Sequence, residues 1–420
     1  MKFRFFLLSV ILASVASVSS AQQHHHHGSE GVPPEALAKL GTVHFQISCA
    51  VSSQAPFERG VAMLHSFWYE EARKQFVSVA QSDPSCAIAQ WGLAMTEWRP
   101  FWDGMPADRR KLGTAEIDKA TSLTSKTARE RHYIDALSAY MHSNPAQNAA
   151  AVSAYAAAMG TLHQRYPTDV EALAFYGLGL SAAASLDPND PIAADRKALA
   201  VLMPGFKAHP DHPGFAHYII HTCDNPSLAR EALPAAEKYA AIAPASAHAL
   251  HMPGHIFARL GMWPQDISAN LNSVNASELA ARQNLDGVAH EMHAYEFLLY
   301  AYLQDGDDAR AKQIYENTGS MIQHLAAVPN IENDDMYVYR NYLQVEFQSI
   351  YHLERHEWSE VLAIPEPKLP LLSASYFRDW AQAIAAGHLH NAAASDDAVT
   401  RAQSIYKQVE AEGSPISAEI

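Results

Sequence analysis

Along most of the chain, apolar and small residues recur every three to four positions, the period of a helix with one buried face. Tyr133, Leu137 and Tyr140 show it within 116–143. A second helix is expected over 149–166, stopped by Pro167, and a third over 170–186, where Ala and Gly suit close helix packing. Turn residues at 187–191 lead into a helix over 193–206. Further helices are predicted over 227–243, 264–278, 291–304 and 308–323, with Asp305-Gly306-Asp307 stopping the third of them, and then over 336–352, 375–389 and 395–412. Residues 280–289 read as a longer connector, and 361–371, with Pro365, Pro367 and Pro370, as a linker. The one-to-one alternation that strands need is not seen. The expected class is all-α.

The helices come in a register. His217 and His221 are four apart, as are His251 and His255, and the two pairs lie 34 residues from each other, as do Pro210 and Pro244. A 34-residue step is the period of the tetratricopeptide repeat, a helix–turn–helix unit that stacks on its neighbours. With the closing proline at position 32, Pro84 puts Gly60 at position 8, Ala72 at 20 and Phe76 at 24. The next unit puts Trp91 at 5 and Ala94 at 8, then departs into a Trp- and Pro-rich insertion over 97–110, where Trp98, Trp102 and Asp103 are candidates for a lid. The reading is a helical solenoid over 55–412, after a lead-in over 22–54 and before a tail over 413–420, with no split into globular domains.

The same register carries the candidate chemistry. His217 and His251 fall at position 5, His221 and His255 at position 9, and His248 at position 2. Residues at i and i+4 share a helix face, and stacked repeats set equivalent faces side by side. Histidines from consecutive units are therefore expected to converge, with His65 turned inward and His293 a further candidate. Imidazole is the commonest metal ligand, and three or four suffice for zinc or copper. His217, His221, His251 and His255 are the expected core ligands, completed by His248 and His293. Few thiolates and many imidazoles suit either metal, with copper slightly favoured by intrinsic affinity. Asp224, Glu291 and Glu296 are candidate bases for a metal-bound water or orienters of imidazole, and Tyr218, Trp263 and Tyr295 candidate aromatic walls. HYIIH lacks the glutamate of the zinc-protease motif. Pro253, between two of the ligands, is expected to distort its helix.

Composition narrows the setting. Met1–Ala21 has a basic start, an apolar core and small residues at its end, the features of a secretory signal. The rest of the chain has no stretch apolar enough to span a bilayer. The formal net charge of −15 with no long basic run argues against nucleic acid as a partner. An exported protein, periplasmic or secreted, is expected. Of three cysteines, Cys49 and Cys86 flank the first repeat and are the expected disulfide. His24–His27 read as a flexible tail or a purification tag.

The segments GVAMLHSFWYEEARKQF, DPSCAIAQWGLAM, HPGFAHYIIH, HALHMPGHIFARLGMW and HAYEFLLYAYLQ resemble a widespread, often exported bacterial tetratricopeptide-repeat family, and more distantly the human tetratricopeptide repeat protein 38 group. The resemblance spans about residues 43–305 and includes His65, His217, His221, His251, His255 and His293. Glu296 stands where that family suggests Asp, and Gly254 where Ser is usual. It implies that the first helices of the repeats line a concave groove, with positions 2, 5 and 9 facing in, and it implies binding without fixing a reaction. Two functions follow as expectations. One is metal-dependent chemistry on a small or peptidic substrate in that groove, oxidation with dioxygen for copper or hydrolysis for zinc. The other is a metal-free scaffold for a peptide or protein partner.

Overall fold

Eighteen α-helices, joined mostly by short turns, account for most of the described residues of the computed structural model. Those residues are 39–101, 105–187, 189–283, 285, 290–325, 342–367 and 371–412. In chain order the helices are α1 Gln54–His65, α2 Tyr69–Ser82, α3 Ala87–Thr96, α4 Ala107–Ser122, α5 Ala128–Met141 and α6 Asn148–Arg165. There follow α7 Val170–Ser185, α8 Pro191–Ala208, α9 Pro213–Thr222, α10 Ala229–Ile242, α11 Ala247–Arg259 and α12 Trp263–Gln283. The last six are α13 His290–Asp305, α14 Asp308–Leu325, α15 Gln344–Glu354, α16 Trp358–Leu362, α17 Leu372–His388 and α18 Ala392–Glu412. Among the described residues there is no strand. Each helix packs mainly on those next to it in sequence, and α11 also touches α9 and α13, the first helices on either side of it. The chain is an all-α helical solenoid.

The small-residue register is what lets the pairs close. Phe76 of α2 is fully buried, and a Cβ on Gly60 or Gly92 would come within 2.8 or 2.5 Å of its ring. Polar caps fix several helix starts: Asp169 for α7, Asp190 for α8, His212 for α9 and Ser246 for α11. The expected single helix over 116–143 is two, because Thr127 and Glu130 form a capping box that starts α5 afresh. Pro253 sits inside α11, and the helix runs through it without a break. Gly254 matters more: a Cβ there would meet Asn270 and Asp266 of α12 at 2.7 and 2.8 Å.

The lead-in is tied down rather than loose from residue 42 on. Thr42 N–H donates to the Asp211 carbonyl, His44 N–H to Glu171 and Ser48 N–H to Glu130. Cys49 is joined to Cys86 by a disulfide that closes the first repeat. α1 also contacts α9, about 150 residues on, which brings His65 against the histidine-bearing helices. Among the described residues no helix is long and apolar enough to cross a membrane. The candidate signal over 1–21, the tail over 413–420, and Trp102 and Asp103 of the candidate lid lie outside the described residues.

Candidate metal centre

α9, α11 and α13 bring the six predicted imidazoles together as two groups of three. The first is His217 and His221 of α9 with His248 of α11. The second is His251 and His255 of α11 with His293 of α13. Each i, i+4 pair is thus completed by a histidine from the first turn of the next repeat's first helix, rather than by the pair equivalent to it. The four paired histidines do not form one patch; His248 and His293, expected to complete one or two sites, complete two trios that share α11.

In the first trio, His217 Nε2 lies 3.0 Å from His248 Nε2 and 3.1 Å from His221 Nε2. In the second, His251 Nε2 lies 2.8 Å from His255 Nε2. The opposite ring nitrogens are held from behind. His217 Nδ1 donates to the His65 carbonyl at 2.6 Å. His251 Nδ1 donates to Asn270 Oδ1 at 2.6 Å, and Asn270 is itself turned by donating to Asp266. His255 Nδ1 donates to Asp224 at 2.7 Å, and His293 Nδ1 to Glu296 at 2.6 Å. An imidazole that spends its one proton on Nδ1 presents a bare lone pair at Nε2. In the second trio all three rings are in that state when neutral, so His251 and His255 oppose lone pair to lone pair. Ligands on one tetrahedral ion at about 2.05 Å would stand roughly 3.3 Å apart, close to this spacing.

The trios run from the core towards solvent: His217 and His251 are 0% exposed and His248 4%, His221 and His255 are half-buried, and the His293 side chain is 42% exposed. Burial pulls the His217 pKa down to about 3 and holds His221, His248 and His251 well below the usual imidazole range. At His293 burial works in the same sense, but the Glu296 carboxylate outweighs it and the pKa rises.

Phenylalanines complete the walls. Phe101 stacks on His221 with centroids 4.3 Å apart, and Phe67 meets His217 edge-on at 4.3 Å. Phe67 adopts φ +52, a left-handed conformation that costs a non-glycine residue about 1–2 kcal/mol and sets its ring over the trio. Phe297 packs against His255 and His251 at 4.7 and 4.8 Å. Of the expected aromatic walls, Tyr218 lies behind the first trio, and Trp263 packs edge-on to Tyr300.

Of the acids expected as bases or as orienters of imidazole, Asp224 and Glu296 take the second place: they sit on the Nδ1 side of His255 and His293 and orient those rings. Asp224 also pairs with Arg259 at 2.8 Å, and Glu296 with Glu346, whose carboxyl is pushed well above its usual range by burial and by Glu296's charge. Glu291 is buried; desolvation and then the Glu278 charge raise its pKa to about 7.

His65 belongs to a third buried cluster, not to either trio. Its Nε2 donates to Glu171 at 2.7 Å and its Nδ1 accepts from Tyr218 at 2.7 Å, while His212 Nε2 donates to Glu171 at 3.1 Å. These rings bond the carboxylate directly, so the cluster is a hydrogen-bond network that fixes His65 and, through its carbonyl, His217. Burial alone would raise the Glu171 pKa, but His212 and His65 outweigh it and hold the carboxyl well below its usual range. Phe67, Phe101, Phe297, Asn270 and Glu171 escape a sequence reading. Only Glu171, a lone acid near the start of an apolar helix, leaves a signal there.

A scan against protein-family models finds no match, and a search of the curated proteins finds none. Among solved structures, the chain is similar to the TPR domain of P58(IPK), at 12% identity over 85% of this chain and 99% of that one, with a TM-score of 0.19. A score that low leaves the fold to be read from the helices themselves.

Proposed function

We propose that this chain is an exported, metal-dependent enzyme whose two histidine trios hold transition-metal ions, copper in preference to zinc. The observation that carries the reading is the pair His251 and His255. Both are oriented through Nδ1 onto oxygen acceptors, and their Nε2 atoms face each other at 2.8 Å. Two facing lone pairs repel unless a cation lies between them, and a metal ion is the cation that three converging imidazoles serve best. Copper bound there would supply oxidation with dioxygen, and zinc hydrolysis. The chain's own part is to orient each ring, exclude water with Phe67, Phe101 and Phe297, and present a small or peptidic substrate beside the more open His293.

The test is elemental analysis of protein purified without nickel chromatography, beside the double variant H251A/H255A. That control is needed because His24–His27 can bind metal themselves. Metal that falls in the variant supports the proposal, and a visible band or electron-spin signal favours copper. Equal metal in both proteins, or none with no uptake on titration, would overturn it. The second reading, a scaffold for a peptide or protein partner, is supported by the helical repeat stack and would then stand.

A further inference from the structure

Away from the trios, α14 and the turn from α15 into α16 enclose an open cleft of about 640 Å3, within the roughly 300–1,000 Å3 usual for small-molecule sites. Its walls are stacked rings. Tyr315 of α14 lies on Tyr351 of α15 with centroids 4.4 Å apart, and Trp358 of α16 lies on His388 at 4.0 Å and on His356 at 5.0 Å. A chain of hydrogen bonds crosses between the walls. His352 Nδ1 donates to Glu357 at 2.7 Å, and His352 Nε2 accepts from the Tyr315 hydroxyl at 3.2 Å. Tyr315 spends its only proton on that ring, so its oxygen keeps lone pairs for a donor entering the cleft. The charges around it decide which donor. Arg355 already bonds Glu357 and Asp308 at 2.9 and 2.7 Å, and Lys312 lies 3.5 Å from Glu316. Glu360 also lines the cleft and has no ion pair among the described residues. Four carboxylates thus stand against two cations. Burial, and after it the charges of Glu360, Glu357 and Glu316, raise the Tyr315 pKa, so negative potential reaches the hydroxyl itself.

We infer that this cleft is a second ligand site, for a small organic primary ammonium. The ammonium donates to the Tyr315 oxygen and pairs with Glu360, and the apolar body of the ligand lies against Tyr351, Trp358 and Leu389. The site stands on its own acceptors and charges and does not depend on metal at the histidine trios.

The experiment is calorimetry and ligand-observed nuclear magnetic resonance of the full chain with phenethylamine, beside phenylacetate, which carries a similar body with the opposite charge. The expected result is saturable binding of the amine that weakens with added salt, and no binding of the carboxylate. E360Q weakens amine binding about two- to fivefold, the effect of an exposed charge pair. Y315F weakens it about tenfold or more, the effect of one hydrogen bond to a charged group. H251A/H255A binds the amine as the parent does. Circular dichroism confirms that each variant keeps its helices, and E360Q, an exposed surface change, tests the site even if Y315F fails to fold. No saturable amine binding, equal binding of phenylacetate, or an affinity unchanged by E360Q and Y315F would overturn the proposal. Loss of amine binding in H251A/H255A would place the ligand at the histidines and overturn it as well.

Discussion

Replacing Glu171 by alanine tests whether the buried network behind the first trio is structural in the way its geometry implies. The carboxylate is fully buried and accepts from three N–H groups: His44 at 3.2 Å, His212 at 3.1 Å and His65 at 2.7 Å. Removing it leaves those donors without their acceptor. A hydrogen bond to a charged group contributes about 1.5–3 kcal/mol, and bonds in one network do not simply add. Breaking such a buried charged site costs about 3–5 kcal/mol, so E171A is expected to lose about 4 kcal/mol. E171Q should lose about 1–2 kcal/mol: its one oxygen can still serve His44 and His212, while its amide faces the His65 ring. That ring can answer by moving its proton to Nδ1 and donating to Tyr218. The pH dependence has a definite sign. A carboxyl held below its ordinary 4.5 by folding contributes stability that is fully present above that value and is lost as pH falls through the folded pKa. The wild-type advantage over E171Q should therefore be constant from pH 6 to 8 and shrink below about 4.5. Urea denaturation followed by far-ultraviolet circular dichroism, repeated across pH, measures both. A loss under about 1 kcal/mol for E171A, or an advantage that grows on acidification, would refute the reasoning.

The disulfide closes a loop of 37 residues, for which chain entropy gives about 4 kcal/mol. C49S/C86S should unfold at lower urea by no more than that amount, and a reductant should shift the parent but not the variant. Glu291 carries a pKa raised to about 7, so its ionisation opposes folding. Stability falls as pH rises from about 4.5 through about 7, and E291Q should recover at most about 3 kcal/mol at pH 8, and none below pH 4. Equal midpoints for E291Q and parent at pH 8 would count against that assignment.

The 34-residue step of the histidines and prolines, with Gly60 and Phe76 at their repeat positions, made the all-α solenoid legible in the sequence. It also made legible which imidazoles face inward, because both are properties of a local period repeated. The four histidines set by that step, with His248 from the repeat register and His293 as a further candidate, do meet in the folded chain. What spacing could not settle was how they group. His248 and His293, in the first turns of the next first helices, complete the pairs before them, and no single helix's periodicity contains that contact. Nor could it foresee the partners of the rings. Asn270 reaches His251 across a helix pair where Gly254 leaves room, and the His65 carbonyl reaches His217 from 152 residues away. Asp224 and Glu296 could be bases or orienters by sequence, and only the fold decides for orienters, since which ring nitrogen a carboxylate meets is set by side-chain direction in three dimensions. Local periodicity fixes what a residue faces along its own helix; only the stacking of distant helices fixes what it meets there.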